Sequence, residues 1–444
     1  MGGGNNSNDQ DNKHNQKLQA VLLADSFLTT FRPITLDKQT PKVLLPLNNV
    51  TLLDYAIEFL TGAGVQELYV FCVTSGKAVE AYLQTRNGWN KSLVVKCIVD
   101  SSVTNVGDAL RELDKRNVIV SDPFILMNGD VITNIDIVPM LKAHEARHKA
   151  EASAILTVIL KRVGGWNIDL NDSELDDGSE HLLDKDLKEG SKTCKYTTSN
   201  LRALNDDLLV GLNTSHPHGT RVLLYDNNPN TTQTSLPTSF FSHNSQIHLR
   251  SDLLDCGIYI CSPDVLARFS DEFDYLHMTK FISNAVAEEE VGLQSQVYAN
   301  VLEGSEYAAR VLDPRTYHAI SRDLLRRWCY PMVPDNLPSG YEKEYRYRMH
   351  RHGMYVEQKK RILVGRGTDM KGPGMIGSGS SVGPDSFVQV SCRVKDRVER
   401  IDFICHFSHE SVPLSFSGNC HRKPLYHFQR CINFQLPYLG QRDH

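Results

Sequence analysis

Residues 18–46 read LQAVLLADSFLTTFRPITLDKQTPKVLLP, and this stretch decides the fold. Its first part belongs to an apolar run over residues 17–24, which has the length of one strand. Because this run lacks polar alternation, it predicts a strand that is buried on both faces, as in a parallel sheet covered by helices. The polar residues after it predict a long loop at the carboxyl end of that strand, where α/β sheets bind their ligands.

Strand and helix patterns alternate along residues 17–160. Apolar runs of strand length lie at 68–72, 93–99 and 124–127, and apolar residues at helical spacing lie at 51–60, 108–115 and 137–148. Strands separated by helices predict βαβ units and a sheet that helices cover on both faces. The predicted fold class is therefore α/β, a doubly wound domain with a mainly parallel sheet.

Shifts in composition predict the boundaries of this domain. Residues 1–16 contain no apolar run, which predicts a disordered N-terminus. The domain is expected over 17–331, with a polar, loop-rich and partly disordered insert at 164–248 that holds only short apolar islands. Residues 332–361 are predicted to be a linker. Their basic and tyrosine residues would also suit RNA contact, but glutamates interrupt them, which favours a solvated linker.

A six-residue repeat occupies residues 362–394. Aliphatic side chains recur at every sixth position, at Val364, Met370, Ile376, Val382, Val388 and Val394. This period predicts the start of a left-handed parallel β-helix of hexapeptide repeats, in which the aliphatic side chain points into the core. Residues 395–444 do not continue the pattern. They are expected to form an irregular tail, either an aberrant sequence or a cap over the end of the β-helix.

Charge and cysteine patterns argue against several classes of function. The ten cysteines include no CxxC pair, which predicts free thiols in a reducing cytosol. Cys405, Cys420 and the histidines near them match no standard structural zinc spacing, so no metal and no cofactor is predicted. The formal net charge of −5 argues against binding driven by nucleic-acid phosphates. No apolar run approaches the length of a membrane span.

Two loops of the predicted domain hold the residues that could carry chemistry. The first holds Asp25, Ser26, Leu28, Thr29, Thr30 and Lys42, and the second, after the strand at 124–127, holds Asn128-Gly129-Asp130. This layout resembles the sugar-phosphate nucleotidyltransferase family, whose first loop reads L-A-G-G-x-G-T-R-L-x-P-L-T before P-K. The resemblance implies a triphosphate held on the glycine loop, with Mg²⁺ bridging its phosphates. It also implies that Asp130 and Asp255 occupy the positions of the metal ligands.

The glycine loop of that family is not preserved. Its three glycine positions hold Asp25, Ser26 and Leu28, and its arginine position holds Thr30. Glycine lets backbone N–H groups approach phosphate oxygens closely, whereas a carboxylate at position 25 would repel a triphosphate. We therefore expect a degenerate nucleotidyltransferase domain without a catalytic residue.

The polar side chains left in such a pocket are expected to be structural. Asp130 and Asp255 would act as hydrogen-bond acceptors, and Lys42 is a candidate for an internal ion pair with them.

Particular segments narrow the resemblance. They are TPKVLLPLNNVTLLDYAIEFL at 40–60, NGDVITNIDI at 128–137, RSDLLDCGIYICSPDVL at 250–266 and LLRRWCYP at 324–331. They look like the epsilon subunits of the translation initiation factor two-B complex. This resemblance implies a cytosolic subunit of the guanine-nucleotide exchange factor for translation initiation factor two, paired with a gamma subunit in a larger heteromeric complex. In that family exchange activity resides in a C-terminal helical-repeat domain, which we expect to be absent here, so the chain would act in assembly and substrate docking.

Three hypotheses remain open from the sequence. The first is this exchange-factor subunit, whose partners are the gamma and other subunits and initiation factor two, without direct nucleic-acid or membrane contact. The second is an active sugar-phosphate nucleotidyltransferase, which a pyrophosphate-release assay would detect. The third is a pseudoenzyme that senses a sugar nucleotide through Lys42 and Asp130, which a thermal-shift assay would detect.

Overall fold

The computed structural model describes two compact units of the chain. They are Met1–Asn167 with Ser191–Glu342, and Ile168–Gly190 with Lys343–His444. Within them the structure describes residues 17–24, 27, 30–32, 34–35, 41–73, 76–85, 93–163, 201–203, 206–227, 246–290, 295–302, 306–336, 347–349, 354–357, 363–364, 366–367, 369–371, 374–376, 381–382, 387–389 and 393–394. The N-terminus expected to be disordered, much of the polar insert and the tail after 394 lie outside these described residues.

A ten-stranded sheet forms the centre of the first unit. The strands of this unit are β1 (Gln19–Leu23), β2 (Pro46–Leu47), β3 (Val50–Thr51), β4 (Glu67–Cys72), β5 (Val94–Val99), β6 (Phe124–Asn128), β7 (Val131–Thr133), β8 (Ala154–Arg162), β9 (Leu209–Asn213), β10 (Arg221–Asp226), β11 (His248–Arg250), β12 (Leu253–Cys261), β13 (Gln296–Leu302) and β14 (Ala308–Arg310). Strands β2 and β3, and likewise β7 and β14, form short antiparallel pairs. The others form the sheet, in the order β11-β9-β10-β13-β8-β12-β6-β1-β4-β5.

Most strands of this sheet share one direction. Seven of the ten, namely β1, β4, β5, β6, β8, β9 and β13, run the same way, and β10, β11 and β12 run against them. The sheet is therefore mainly parallel, as the sequence predicts. The antiparallel β12 lies between β6 and β8, and it brings Asp255 next to the carboxyl end of β6.

Helices cover both faces of the sheet. In this unit the structure describes α1 (Leu52–Gly62), α2 (Gly76–Thr85), α3 (Val106–Lys115), α4 (Val138–Ala150), α5 (Asp264–Asp271), α6 (Met278–Glu290) and α7 (Pro314–Leu325), and a 3-10 turn at Lys42–Leu44. Ala20 and Leu22 of β1 belong to an apolar core with α1 and α7. Val21 and Leu23 belong to a second core with α3, α5 and α6. This alternation confirms the doubly wound α/β class.

Side-chain caps fix where several helices begin. The Thr51 hydroxyl accepts a hydrogen bond from the Asp54 N–H at 3.2 Å, which caps α1. At the start of α7, the Asp313 carboxylate accepts from the Thr316 N–H at 2.7 Å, and the Thr316 hydroxyl accepts from the Asp313 N–H at 3.0 Å. Because α7 follows β14 closely, this capping box also helps to hold β14 in place.

The elements predicted for residues 17–160 are confirmed, with bounds that differ by a few residues. The segment predicted to be a loop-rich insert contains more structure than expected. Its apolar islands at 208–212 and 221–225 form β9 and β10 at one end of the sheet. They are strands because their mutual pairing, and the burial of Val210 and Val222, stabilises extended backbone that short apolar islands do not reveal.

Short strands with a constant register form the described part of the second unit. They are β15 (Tyr347–Met349), β16 (Met354–Glu357), β17 (Leu363–Val364), β18 (Asp369–Lys371), β19 (Gly374–Ile376), β20 (Ser381–Val382), β21 (Phe387–Gln389) and β22 (Arg393–Val394). Strands β17 and β20, β18 and β21, and β19 and β22 are parallel pairs, and each joins residues eighteen positions apart. That offset equals three units of the six-residue repeat. Among the repeat positions, Ile376 is buried.

Candidate functional site

The turn Asn128-Gly129-Asp130 lies at the carboxyl ends of β1 and β6. The Gly129 N–H donates to the carbonyl of Leu23 at 2.8 Å, which ties the turn to the end of β1. A Cβ at Gly129 would lie 2.7 Å from Cγ1 of Val43 and 3.0 Å from the Leu23 carbonyl oxygen. Glycine therefore lets the turn pack directly against the segment that carries Lys42.

Asp130 is held between two cationic side chains. The Lys42 Nζ donates to Oδ2 of Asp130 at 2.7 Å. The Arg310 Nε donates to Oδ1 at 3.2 Å, and its Nη2 reaches Oδ2 at 3.4 Å. Asp130 is 1% exposed, Lys42 8% and Arg310 19%. Both oxygens of this buried carboxylate therefore accept charge-assisted hydrogen bonds.

Strand pairing places Arg310 in this group. Arg310 ends β14, which pairs with β7 so that Arg310 lies opposite Val131, next to Asp130 in the chain. The Val311 N–H also donates to the Asp130 carbonyl at 2.9 Å. Sequence reasoning missed Arg310, although a single charge within the apolar run AARVL at 308–312 was a usable signal.

The two cations keep the Asp130 carboxylate ionised. Burial alone would raise the pKa of Asp130, but Arg310 and Lys42 lower it to about 2. Burial lowers the pKa of Lys42 even though Asp130 opposes this effect. Burial acts in the same direction on Arg310, but the attraction of Asp130 outweighs it and raises the pKa of Arg310.

Asp255 lies at an irregularity of β12. The pairing of β12 with β8 shifts between Asp255 and Tyr259, and Gly257 has a φ of +66°. The Asp255 carboxylate accepts hydrogen bonds from the Gly257 N–H at 2.8 Å and from the hydroxyl groups of Tyr225 and Tyr259 at 2.9 and 2.6 Å. A Cβ at Gly257 would lie 2.9 Å from Nε of Arg310. The backbone beside Asp255 therefore packs on the same arginine that binds Asp130.

Three further titratable groups surround Asp255. Burial raises the pKa of Asp206, with Arg310 opposing this shift and Asp255 adding to it. Burial also raises the pKa of Tyr225 and Tyr259, and the charge of Asp255 adds to both shifts. Sequence reasoning missed all three. Asp206 and Tyr225 fall in the segment predicted to be an insert, where no motif marks them.

The structure describes only part of the predicted first loop. The Thr30 hydroxyl is exposed and donates to the carbonyl of Leu312 at 2.5 Å, close in sequence to Arg310. The other positions predicted for this loop lie outside the described residues, namely Asp25, Ser26, Leu28 and Thr29. Strands contain all six predicted repeat positions, but the side chains of Val364, Met370, Val382, Val388 and Val394 also lie outside the description.

The resemblance to nucleotidyltransferases implies Mg²⁺ between Asp130 and Asp255, and the side chains present do not fit that ion. Mg²⁺ takes oxygen ligands about 2.0–2.1 Å away in octahedral geometry. Both oxygens of Asp130 already accept from Lys42 and Arg310, and Oδ2 of Asp255 accepts from two tyrosines. A dication would also lie beside two positive side chains in a buried site. The described residues contain no group of three or more His, Cys, Asp or Glu side chains that could hold a metal.

The fold has known counterparts. Residues 19–164 match the nucleotidyl transferase family. Among solved structures, UDP-glucose pyrophosphorylase in complex with UDP-glucose is 14% identical in sequence, covers 70% of this chain and 100% of that chain, and superposes with a TM-score of 0.47.

Two relatives are similar over most of this chain. The translation initiation factor eIF2B subunit epsilon of Dictyostelium discoideum is 35% identical over 78% of this chain and 43% of the relative. The subunit epsilon of Schizosaccharomyces pombe is 33% identical over 84% of this chain and 48% of the relative. The resemblance to epsilon subunits inferred from the sequence is thereby confirmed. The chain spans less than half of the length of these two relatives.

Proposed function

We propose that this chain, which is related to eIF2B epsilon subunits over 78% and 84% of its length in two comparisons, is a subunit of the guanine-nucleotide exchange factor for translation initiation factor two. The observation that carries this proposal is the extent of that identity. It reaches far beyond residues 19–164, the part that matches the nucleotidyl transferase family. A shared nucleotidyltransferase fold alone would not give similarity over the rest of the chain.

The two described units act in assembly and in docking of initiation factor two. The ion group at Asp130 supports such a non-catalytic role, because both carboxylate oxygens are engaged by side chains of the chain itself. We assign no catalytic residue. The proposed partners are a gamma subunit, the other subunits of the exchange factor and initiation factor two, in the cytosol. Among the residues that the structure describes, no helix has the length and apolar character that a bilayer crossing requires.

The second unit is a left-handed parallel β-helix that begins in residues 362–394. Two observations support this proposal. The aliphatic residues recur every six positions, and three strand pairs join residues eighteen positions apart. In such a helix three hexads make one turn, so residues eighteen apart lie in register on neighbouring turns. The proposed core positions are Val364, Met370, Ile376, Val382, Val388 and Val394.

The proposed domain order follows from this. A nucleotidyltransferase-like domain over 17–331 carries a polar insert at 164–248 that contributes β9 and β10 to the sheet. A linker at 332–361 leads to the β-helix.

An active sugar-phosphate nucleotidyltransferase is the second candidate function. The match of residues 19–164 to the nucleotidyl transferase family is the observation on its side. It is not favoured, because the glycine positions of the phosphate loop hold Asp25, Ser26 and Leu28 and because Asp130 is engaged by Lys42 and Arg310. Release of pyrophosphate from any nucleoside triphosphate and sugar phosphate, abolished by Asp130→Ala, would establish it.

Co-purification tests the leading proposal. The chain carrying an affinity tag is co-expressed with the gamma subunit of the same organism, and the complex is weighed by mass photometry. We expect a stable heteromer that also retains initiation factor two. Recovery of the tagged chain without gamma subunit, from cells that contain both as soluble proteins, would contradict the proposal. An unrelated tagged nucleotidyltransferase serves as the control for non-specific capture.

A further inference from the structure

We propose that Arg310, with Lys42, is a built-in counter-cation that takes the place of a divalent metal at Asp130, so that this site binds no external cation. The inference concerns the α/β unit alone. It does not depend on a role in translation initiation.

Arg310 is fixed in place by the backbone. It lies in β14, opposite Val131 of β7, and the next residue donates its N–H to the Asp130 carbonyl at 2.9 Å. Gly257 packs against its side chain, because a Cβ there would lie 2.9 Å from both Cδ and Nε of Arg310. An ion that displaced this guanidinium from Asp130 would therefore have to move a side chain confined between a strand pair and the β12 backbone.

The charges of the site are already balanced without an ion. The formal charges of Asp130 and Asp255 are matched by those of Lys42 and Arg310. Asp130 has contacts to both cations at 2.7 to 3.4 Å. A divalent ion would add two positive charges to this buried group, and opposing charges a few ångströms apart interact strongly where water is scarce.

The donors around Asp255 make the same point independently. Its Oδ2 accepts from two tyrosine hydroxyl groups and its Oδ1 from the Gly257 N–H. An sp² oxygen has two lone pairs, so Oδ2 has none left for an inner-sphere metal bond. The two carboxylates together retain too few free lone pairs to replace the water of an octahedral ion.

Binding of Mn²⁺ to the full chain tests this inference without any assay of activity. Free Mn²⁺ is measured by electron paramagnetic resonance for wild type, Asp130→Asn and Asp255→Asn. We expect no site in the wild type up to about 1 mM Mn²⁺. A stoichiometric site in the wild type that is lost in either folded aspartate variant would overturn the inference.

A gain of binding provides the second arm. Arg310→Gln keeps an amide donor for Asp130 but removes the charge, and we expect it to bind Mn²⁺ at least about tenfold more tightly than wild type. Arg162→Gln removes an arginine that pairs with a surface carboxylate, Asp252, at 3.2 Å, and it should leave Mn²⁺ binding unchanged. A folded Arg310→Gln without any gain, or an equal gain in the control, would contradict the role of Arg310. If Arg310→Gln does not fold, the wild-type measurement decides.

Discussion

The Nδ1 atom of His144 lies 2.8 Å from the hydroxyl oxygen of Thr157, inside the contact between α4 and β8. The imidazole is 1% exposed, and its Nε2 lies 3.4 Å from the Ser262 hydroxyl. Burial, assisted by the neighbouring Arg147 and His148, lowers the pKa of His144 to about 3. This histidine is therefore neutral in the folded protein at neutral pH, and its protonation opposes folding.

Acid should destabilise the first unit through His144. In the unfolded chain a histidine has a pKa near 6.5, so between about pH 6.5 and pH 3 the unfolded state binds a proton that the folded state does not. We expect this one group to lower the free energy of unfolding by about 2–3 kcal/mol at about pH 4.5, relative to its value above pH 6.5. Urea unfolding of wild type and His144→Gln at several pH values checks this.

The matched control for this experiment is an exposed histidine. His277→Gln alters such a side chain and should keep the pH dependence of the wild type. If His144→Gln and wild type lose stability in parallel as the pH falls, the buried histidine is not responsible.

Loss of the Asp130 carboxylate should destabilise the fold strongly. Asp130→Asn leaves Lys42 and Arg310 as uncompensated charges in a buried site, and breaking a buried ion group in this way costs about 3–5 kcal/mol. Because the pKa of Asp130 is lowered to about 2, its contribution to stability is present above about pH 4 and is lost as the pH falls towards 2. Denaturant unfolding at neutral pH measures the loss.

A surface carboxylate provides the comparison. Asp252 pairs with Arg250 at 2.7 Å and with Arg162 at 3.2 Å, but it is 20% exposed, and these arginines reach water. Asp252→Asn should cost less than about 1 kcal/mol. Equal losses for the two variants would show that the Asp130 group is no stronger than a surface pair.

The sequence predicts the first part of the sheet well and the ion group only in part. Strands β1, β4, β5 and β6 are continuous apolar runs because both of their faces are buried, and this burial is visible in composition alone. Lys42 and Asp130 can be named from motifs. Arg310 cannot be paired with Asp130 from spacing, because 180 positions separate them and only the β7–β14 pairing joins them. The strands β9 and β10 were missed for a similar reason, since their burial depends on partners rather than on their own length.

Asp323 should give a pH dependence of the opposite sign to that of His144. It is 5% exposed and accepts a hydrogen bond from the Tyr307 hydroxyl at 2.9 Å, and burial raises its pKa to about 6. The folded state therefore holds this proton where the unfolded chain has released it. Its stabilising contribution is complete below about pH 4 and is lost as the pH rises through 6, by about 3 kcal/mol.

The variant Asp323→Asn separates this effect from that of His144. The amide oxygen can still accept from Tyr307, but it does not titrate, so the decline between about pH 4 and pH 6 should disappear. Asp271→Asn, at an exposed aspartate, should leave the decline in place. A profile for Asp323→Asn that superposes on the wild type over this range would refute the assignment.

Cys97 should react with iodoacetamide before the other cysteines that the structure describes. Its side chain is half-buried on β5, whereas Cys72, Cys256, Cys261 and Cys329 are buried. A hydrogen bond with the Cys72 sulfur, 3.8 Å away, lowers the pKa of the Cys97 thiol, while burial raises the pKa of Cys256, Cys261 and Cys329. Since the thiolate is the nucleophile, access and pKa favour the same residue. Peptide mapping by mass spectrometry after brief alkylation of the native chain ranks the sites. The variant Cys72→Ala removes the hydrogen bond without exposing Cys97 to a new charge, and it should slow alkylation of Cys97. Alkylation of Cys256 or Cys329 as fast as that of Cys97 would show that the interior opens more readily than its packing implies.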